Sequence, residues 1–338
     1  MKGSNIFFFA LLFLSVVIVS CNKNNQGNDY GVSISAPKMV GTPAEVFSED
    51  NINTLKISNS FNFLLLNQLL LKTDSSFNFS FSPLTMLHYI YSVDDDKYLN
   101  QLSEKFYIDD TSKLFENIIT IKKLISSIDS TIKINDSSYC GKSKHITISQ
   151  KIEVPIFYEE ILKAKKQIFY TINEEKQSLE FFTLKGDLGV YSDNSYDAID
   201  ISIGNDNYSL LMIKPNNGNI NQFVNNFTEK DYKTIIENLT PQITTISFPN
   251  ISNSSTYSLL VPLLSFDSTY KLTPLTISSE IKIIKPTAAE LKLRKTDIDN
   301  KLKKSTKAET YLFNKPFLFI IRGKSSNSIL TTGVFVGK

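Results

Sequence analysis

Phe313-Asn314-Lys315-Pro316-Phe317-Leu318-Phe319-Ile320-Ile321-Arg322 and, a few polar residues later, Asn327-Ser328-Ile329-Leu330-Thr331-Thr332-Gly333-Val334-Phe335-Val336 close this chain. Two continuous apolar runs, rich in β-branched and aromatic residues and separated by a turn, predict two buried strands. Just upstream, residues 290–310 are hydrophilic and rich in lysine. Before those stands another apolar strand, residues 277–284. A charged, turn-poor loop is therefore tethered late in the chain, between one strand behind it and two ahead.

The 338 residues suffice for one large domain or two ordinary ones. A hydrophobic fraction of 41% is compatible with a packed globule. A net charge of +2 gives no global field that would favour nucleic acid or an anionic membrane surface. The two histidines, His88 and His145, are far apart and sit in no recognisable signature. No metal-ligand spacing and no glycine-rich phosphate loop appear, so no metal and no cofactor is expected. Gly-x-Ser-x-Gly is absent. The residues make no positive case for an enzyme.

The N-terminus carries an address. Lys2 precedes an apolar run, residues 6–19, too short for a comfortable transmembrane span. It ends in Ile18-Val19-Ser20-Cys21, which resembles a bacterial lipobox. That resemblance implies a signal peptide over residues 1–20, cleavage before Cys21, and a diacylglycerol on the Cys21 thiol. An ordinary signal peptide with a chance cysteine, or an uncleaved anchor, are the plainer readings. Residues 21–54, polar and at first rich in Asn and Gly, read as a lipidated flexible tether. A domain over 55–338 follows. The expected location is the cell envelope, as a membrane-anchored lipoprotein of the outer membrane or surface, facing periplasm or exterior. With Cys21 acylated, Cys140 has no partner and no intramolecular disulfide forms.

Along the domain, apolar residues at three and four spacing predict an amphipathic helix over 55–72. Phe77-Asn78-Phe79-Ser80-Phe81 alternates as a short strand, and Ser82-Pro83 then starts a helix, with Ser as cap and Pro in the first turn. Asp94-Asp95-Asp96 reads as a solvated loop or a helix start. Two further helices are expected around Leu99 to Phe106 and Leu114 to Ile125. Strands are expected over 131–139 and 145–154, and a helix over 155–166. From Ser178 onward alternating strands follow, including the buried Leu211-Met212-Ile213-Lys214-Pro215. An amphipathic segment over 220–239 and a strand ending in Phe248-Pro249 complete the series.

This succession resembles the serpin family. Asn78-x-x-x-Ser82-Pro83-Leu84 matches the family segment where a short strand meets the central helix beneath the main sheet. Asn78, Ser82 and Pro83 are the matching, shutter-like structural positions. The order from Ser178 and the two closing strands match as well, so the resemblance covers residues 55–338. It implies an α+β fold: a large, mainly antiparallel sheet with packed helices and a smaller second β layer. It is broken once. The family carries a surface helix and a central sheet strand, with a Trp, between the helix near 155–167 and Phe181. Here about a dozen residues are available and Trp is absent, which reads as a deletion of that helix and much of that strand.

The resemblance also implies a function. The loop, near residues 287–312, becomes bait for a protease. After an acyl-enzyme forms, the loop inserts as a new strand into the main sheet and releases stored free energy. Roughly 26 residues can extend about 85 Å, more than a domain diameter on the order of 50 Å. The hinge falls at Pro286, Thr287, Ala288 and Ala289, and the reactive bond at Lys301-Leu302, with Asn300-Lys301, Lys303 and Lys304 as alternatives. Lys301 would attract a trypsin-like serine protease; cysteine proteases form a second target class. Thr287, Ala289, Leu291 and Leu293 line one face of the would-be strand, and Ala288, Glu290, Lys292 and Arg294 the other. Against insertion, Pro286 stands where the family has Gly and forfeits a ladder bond. Leu291 and Leu293 are bulky, and Asp297 and Asp299 would cost several kcal/mol to bury unpaired. An ordinary edge strand continuing from residues 281–284 and a plain solvated basic loop are the alternatives. The partners implied are a protease and, through Cys21, a bilayer; the chain is expected to be a monomer with no nucleic-acid partner. The competing function is a non-inhibitory surface protein of the same fold, acting as a decoy or binding module.

Overall fold

The computed structural model describes residues 46–72, 78–91, 110–140, 146–156, 162–204, 206–217, 219–260, 274–284 and 309–337, with single residues between 100 and 108. Cys21, residues 1–45 generally, Asp94 to Asp96, and the loop with Pro286, Thr287, Ala288, Ala289, Lys301 and Leu302 lie outside the described residues.

The first helix, α1 (Glu49–Lys72), begins ahead of the expected Leu55, so the folded domain takes in residues assigned to the tether. The Ser48 hydroxyl accepts from the Asn51 N–H at 3.2 Å, and Glu49 and Asp50 sit in the first turn, where the helix dipole favours acidic groups. Phe61, Phe63, Leu65 and Leu66 are buried, so α1 is a core element. The short strand β1 (Phe79–Phe81) leads into α2 (Pro83–Tyr91), and α3 (Thr111–Ile128) follows, N-capped by Asp110.

Among the described residues the strands form two sheets. The smaller has β2 (Lys133–Cys140), β3 (Ile146–Pro155), β10 (Pro274–Ile284) and β9 (Asn253–Leu260), in that order. The larger has nine strands. Its path runs β1, β13 (Ile329–Phe335), β12 (Phe317–Gly323), β7 (Tyr208–Pro215), β6 (Tyr196–Ile203), β5 (Lys176–Ser192), β8 (Thr240–Pro249) and β11 (Glu309–Leu312), and β4 (Leu162–Tyr170) pairs with β5. Every residue of β12 and β13 is buried, as their continuous apolar runs demand.

Five expectations are corrected. Residues 162–166 are strand, not helix. Their apolar spacing suits a helix, but the edge of β5 recruits them, with Lys165 opposite Phe181 and Phe169 opposite Gln177. No gap falls between 167 and 181, because β4 and β5 form one antiparallel hairpin there. The sheet beside residues 277–284 keeps a central partner, β3, supplied from earlier in the chain. That sheet is also the smaller of the two among the described residues, not the large one. Finally, the segment over 220–239 is two helices, α4 (Ile220–Asn226) and α5 (Glu229–Asn238). Phe227 breaks it by taking an extended backbone as its ring is buried, and Thr228 restarts it through a capping box with Asp231.

Candidate functional site

The loop leaves from the end of β10, so the site is built from β10 and whatever lies beside it. β10 runs parallel to β3 over a ten-residue register, Leu275 opposite Ile146 through Ile284 opposite Pro155. On its other side β9 runs antiparallel. Period-two alternation sorts the pair into two faces. Facing the core are Ile148, Ile152 and Val154 from β3, with Ile277, Ile281 and Ile283 from β10, all buried. Facing outward are Ser149, Lys151 and Glu153, with Ser278, Glu280 and Lys282. Lys151 reaches both Glu280 at 3.3 Å and Glu153 at 3.4 Å, a tie across the strand pair.

One rung of the core face is polar. Ser279 lies opposite Gln150, and both are buried. Beneath it passes β1, the strand that pairs with β13. Ser80 Oγ and Ser279 Oγ share a hydrogen bond at 2.6 Å. The Ser82 N–H donates to Gln150 Oε1 at 2.8 Å. Gln150 Nε2 is buried and has no partner among the described residues. A buried donor without an acceptor is costly, so this rung is incompletely satisfied with β3 and β10 in contact.

The three sequence-matched positions meet at this place. The Asn78 amide nitrogen donates to the Gly337 carbonyl, and its oxygen accepts from the Val336 N–H at 2.7 Å, pinning the end of β13. Ser82 caps α2, its carbonyl accepting from the Met86 N–H at 3.0 Å and its hydroxyl from the Thr85 N–H at 3.4 Å. Pro83 occupies the first helical position, where a missing N–H costs nothing. The sequence reading did not single out Gln150, Ser279 or Ser80. A polar residue at an inward position of an apolar alternation was the available signal.

A charged cluster flanks the rung. Thr85 Oγ1 donates to Asp136 Oδ2 at 2.8 Å, and the Lys122 ammonium bonds the same oxygen while lying 3.1 Å from His88 Nδ1. This ties α2 and α3 to β2, the edge of the small sheet among the described residues. Burial, with the Lys122 charge, lowers the pKa of half-buried His88 below its ordinary value. Burial pushes the Asp136 carboxyl up, but Lys122, Thr85 and His88 together outweigh it and hold it below the usual value. Burial likewise draws the Lys122 ammonium down, against the pull of Asp136.

The sign of the pH effect follows. The unfolded chain protonates its histidine near 6.5, while the folded chain keeps His88 neutral to lower pH, so stability is intact above 6.5 and falls as pH drops below it. Asp136 contributes above the ordinary carboxylate value, and that contribution is lost as pH falls through its lowered folded value. We expect a lower melting temperature at about pH 5.5 than at about pH 7.5. His88→Gln should flatten that interval. An unchanged slope in the variant would remove His88 from the account.

Among the described residues no group of His, Cys, Asp and Glu is placed to hold a metal ion.

Residues 160–337, just over half the chain, match the profile of the family described as Serpin (serine protease inhibitor). No curated protein matches in sequence. Among solved structures, the fold is similar to SRPN18 from Anopheles gambiae, at 12% identity and a TM-score of 0.64 over 84% of this chain and 98% of that one. It is similar to Serpin-12 from Manduca sexta, at 13% identity and a TM-score of 0.63 over 83% and 98%. It is also similar to native protease nexin-1, solved with heparin, at 12% identity and a TM-score of 0.64 over 85% and 99%.

Proposed function

Because the chain belongs to the serpin family, we propose that it is a lipid-anchored inhibitor of serine endopeptidases that traps its target by loop insertion. The observation that carries this reading is the parallel contact between β3 and β10, with the loop attached where β10 ends. A chain that reverses after Ile284 runs antiparallel to β10, and therefore to β3 as well. Placed between them, it would replace one parallel ladder by two antiparallel ones, the slightly more stable pairing. It would also offer the buried Gln150 Nε2 new acceptors. In the proposed reaction the protease serine attacks the Lys301 carbonyl, the Leu302 amine leaves with a proton, and the new ester is held as the loop inserts.

The test is incubation with trypsin. We expect an SDS-stable adduct at the summed mass less the fragment from Leu302 onward, and a higher melting temperature for loop-cleaved protein. Thr287→Arg places a charge at the first inserted position and should convert the inhibitor into a substrate. Cleavage near Lys301 with neither adduct nor thermal gain would overturn trapping. That outcome would favour the second reading, a protease decoy or binding module of the same fold, which Pro286 at the hinge supports. The anchor is tested separately: in the producing cell, labelled fatty acid should be incorporated into the wild-type chain and not into Cys21→Ser. Equal labelling of the two, or none in the wild type, would end the lipoprotein reading.

A further inference from the structure

Away from the loop, two turns and a helix enclose an open groove of about 450 Å³ in the larger sheet's helical flank, within the roughly 300–1,000 Å³ of small-molecule sites. Its construction is unusual for an incidental surface dip. Asp193 Oδ1 accepts from the N–H groups of Ser195 at 2.7 Å and Tyr196 at 3.0 Å, fixing the β5–β6 turn. Asn216 then locks the β7–α4 turn onto it. Its N–H donates to the Ser195 carbonyl and its side-chain amide to the Asp193 carbonyl, both at 2.9 Å. Asn219 caps α4, accepting from the Asn221 N–H at 2.7 Å.

Four side-chain amides stand on this hydrogen-bonded frame. Asn194, Asn217, Gln222 and Asn226 line the groove, and among the described residues their side chains make no hydrogen bond. Between them lies Phe223, partly buried. Its ring is held by Tyr196 at 5.6 Å and by Phe227 at 5.3 Å, both buried beneath it. Asp231 closes one side. Its Oδ2 is taken by Thr228, and its Oδ1 has no hydrogen-bond partner among the described residues. Neither lysine nor arginine lines the groove.

The geometry points to a binding site for a neutral saccharide. Sugar C–H faces stack on an aromatic ring, and adjacent hydroxyls need groups that both donate and accept, which side-chain amides do. A phosphate, a sulfated glycan or a nucleic acid would meet one carboxylate and no cation, which is repulsive. An extended peptide would want an unpaired strand edge or a deep apolar pocket, and the groove is built of turns and a helix. This site is independent of the loop and of trapping.

The experiment titrates the full chain with chitotriose, maltotriose and mannotriose at millimolar concentration, following the side-chain amide signals by NMR. At least one should shift the signals of Asn217 and Gln222 saturably. The double variant Asn217→Ala, Gln222→Ala alters only exposed groups, so it should keep its melting temperature and lose about tenfold in affinity. Phe223→Leu keeps an apolar side chain in the core and should lose the stacking contribution, with a similar loss. No shift with any of the three sugars would overturn the proposal. So would binding that survives both variants, or preferential binding of a sulfated trisaccharide or a peptide in the groove.

Discussion

Arg322→Met is expected to lower stability by about 3–5 kcal/mol, the cost of stranding a buried charge. Arg322 projects from β12 across β7 toward Asp200 on β6, and both side chains are almost fully enclosed, at 5% and 7% exposure. Nη2 lies 2.6 Å from Asp200 Oδ2, Nε lies 3.4 Å from Oδ1, and Nη1 donates to Asn327 Oδ1 at 3.1 Å. The guanidinium thus ties two strands of the larger sheet to the turn that leads into β13. Removing it leaves the Asp200 carboxylate without its partner in a medium where charge is costly. In a domain of this size the melting temperature should fall on the order of 10 °C. The diagnostic comparison is with Arg322→Met combined with Asp200→Leu. A buried pair replaced by apolar residues is often tolerated, so the double variant should recover much of the loss. If the two substitutions simply add, the loss reflects packing and not the pair.

The second large effect should come from a single methyl group. Gly333 sits in β13 opposite Ser80 of β1 on one side and Phe319 of β12 on the other. A Cβ there would lie 2.3 Å from Phe319 Cζ and 2.5 Å from the Phe79 carbonyl oxygen. The ring and the backbone are both confined, since Phe79 and Phe319 are each 3% exposed. Gly333→Ala should therefore cost about 3 kcal/mol or more, at the upper end of overpacking. It should also reach the site. Pushing β1 away from β13 displaces Ser80 and Ser82, whose bonds to Ser279 and Gln150 link the larger sheet to the β3–β10 pair. We expect Gly333→Ala to lose inhibition, if the wild type traps, before it loses secondary structure. A variant as stable as wild type, with Ser80–Ser279 intact, would show that β1 is free to yield.

Much of the architecture was legible from local pattern. The closing strands announced themselves as largely apolar runs, because a strand buried on both faces carries few polar residues; Arg322, Thr331 and Thr332 are the buried exceptions. Ser82-Pro83 marked a helix start because cap chemistry is local. The misreadings share one cause. Leu162 has helical spacing to its neighbours, yet strand pairing with β5 decides its fate. Thr228 lies inside the amphipathic segment over 220–239, yet its capping box with Asp231 outweighs the periodicity around it.

The amino-acid sequence by itself marked most of the strands and helices, among them the two closing strands and the start of α2 at Ser82-Pro83, and how the small sheet's strands alternate. Those properties depend on neighbours within a few residues. Tertiary structure alone decided that β3 is the partner of β10, that Gln150 and Ser279 form a polar rung, and that Arg322 finds Asp200. Each brings together residues more than a hundred positions apart, as Ile146 opposite Leu275 does. No local period encodes such a pairing, because the free energy that selects it arises only when the two segments exclude water together.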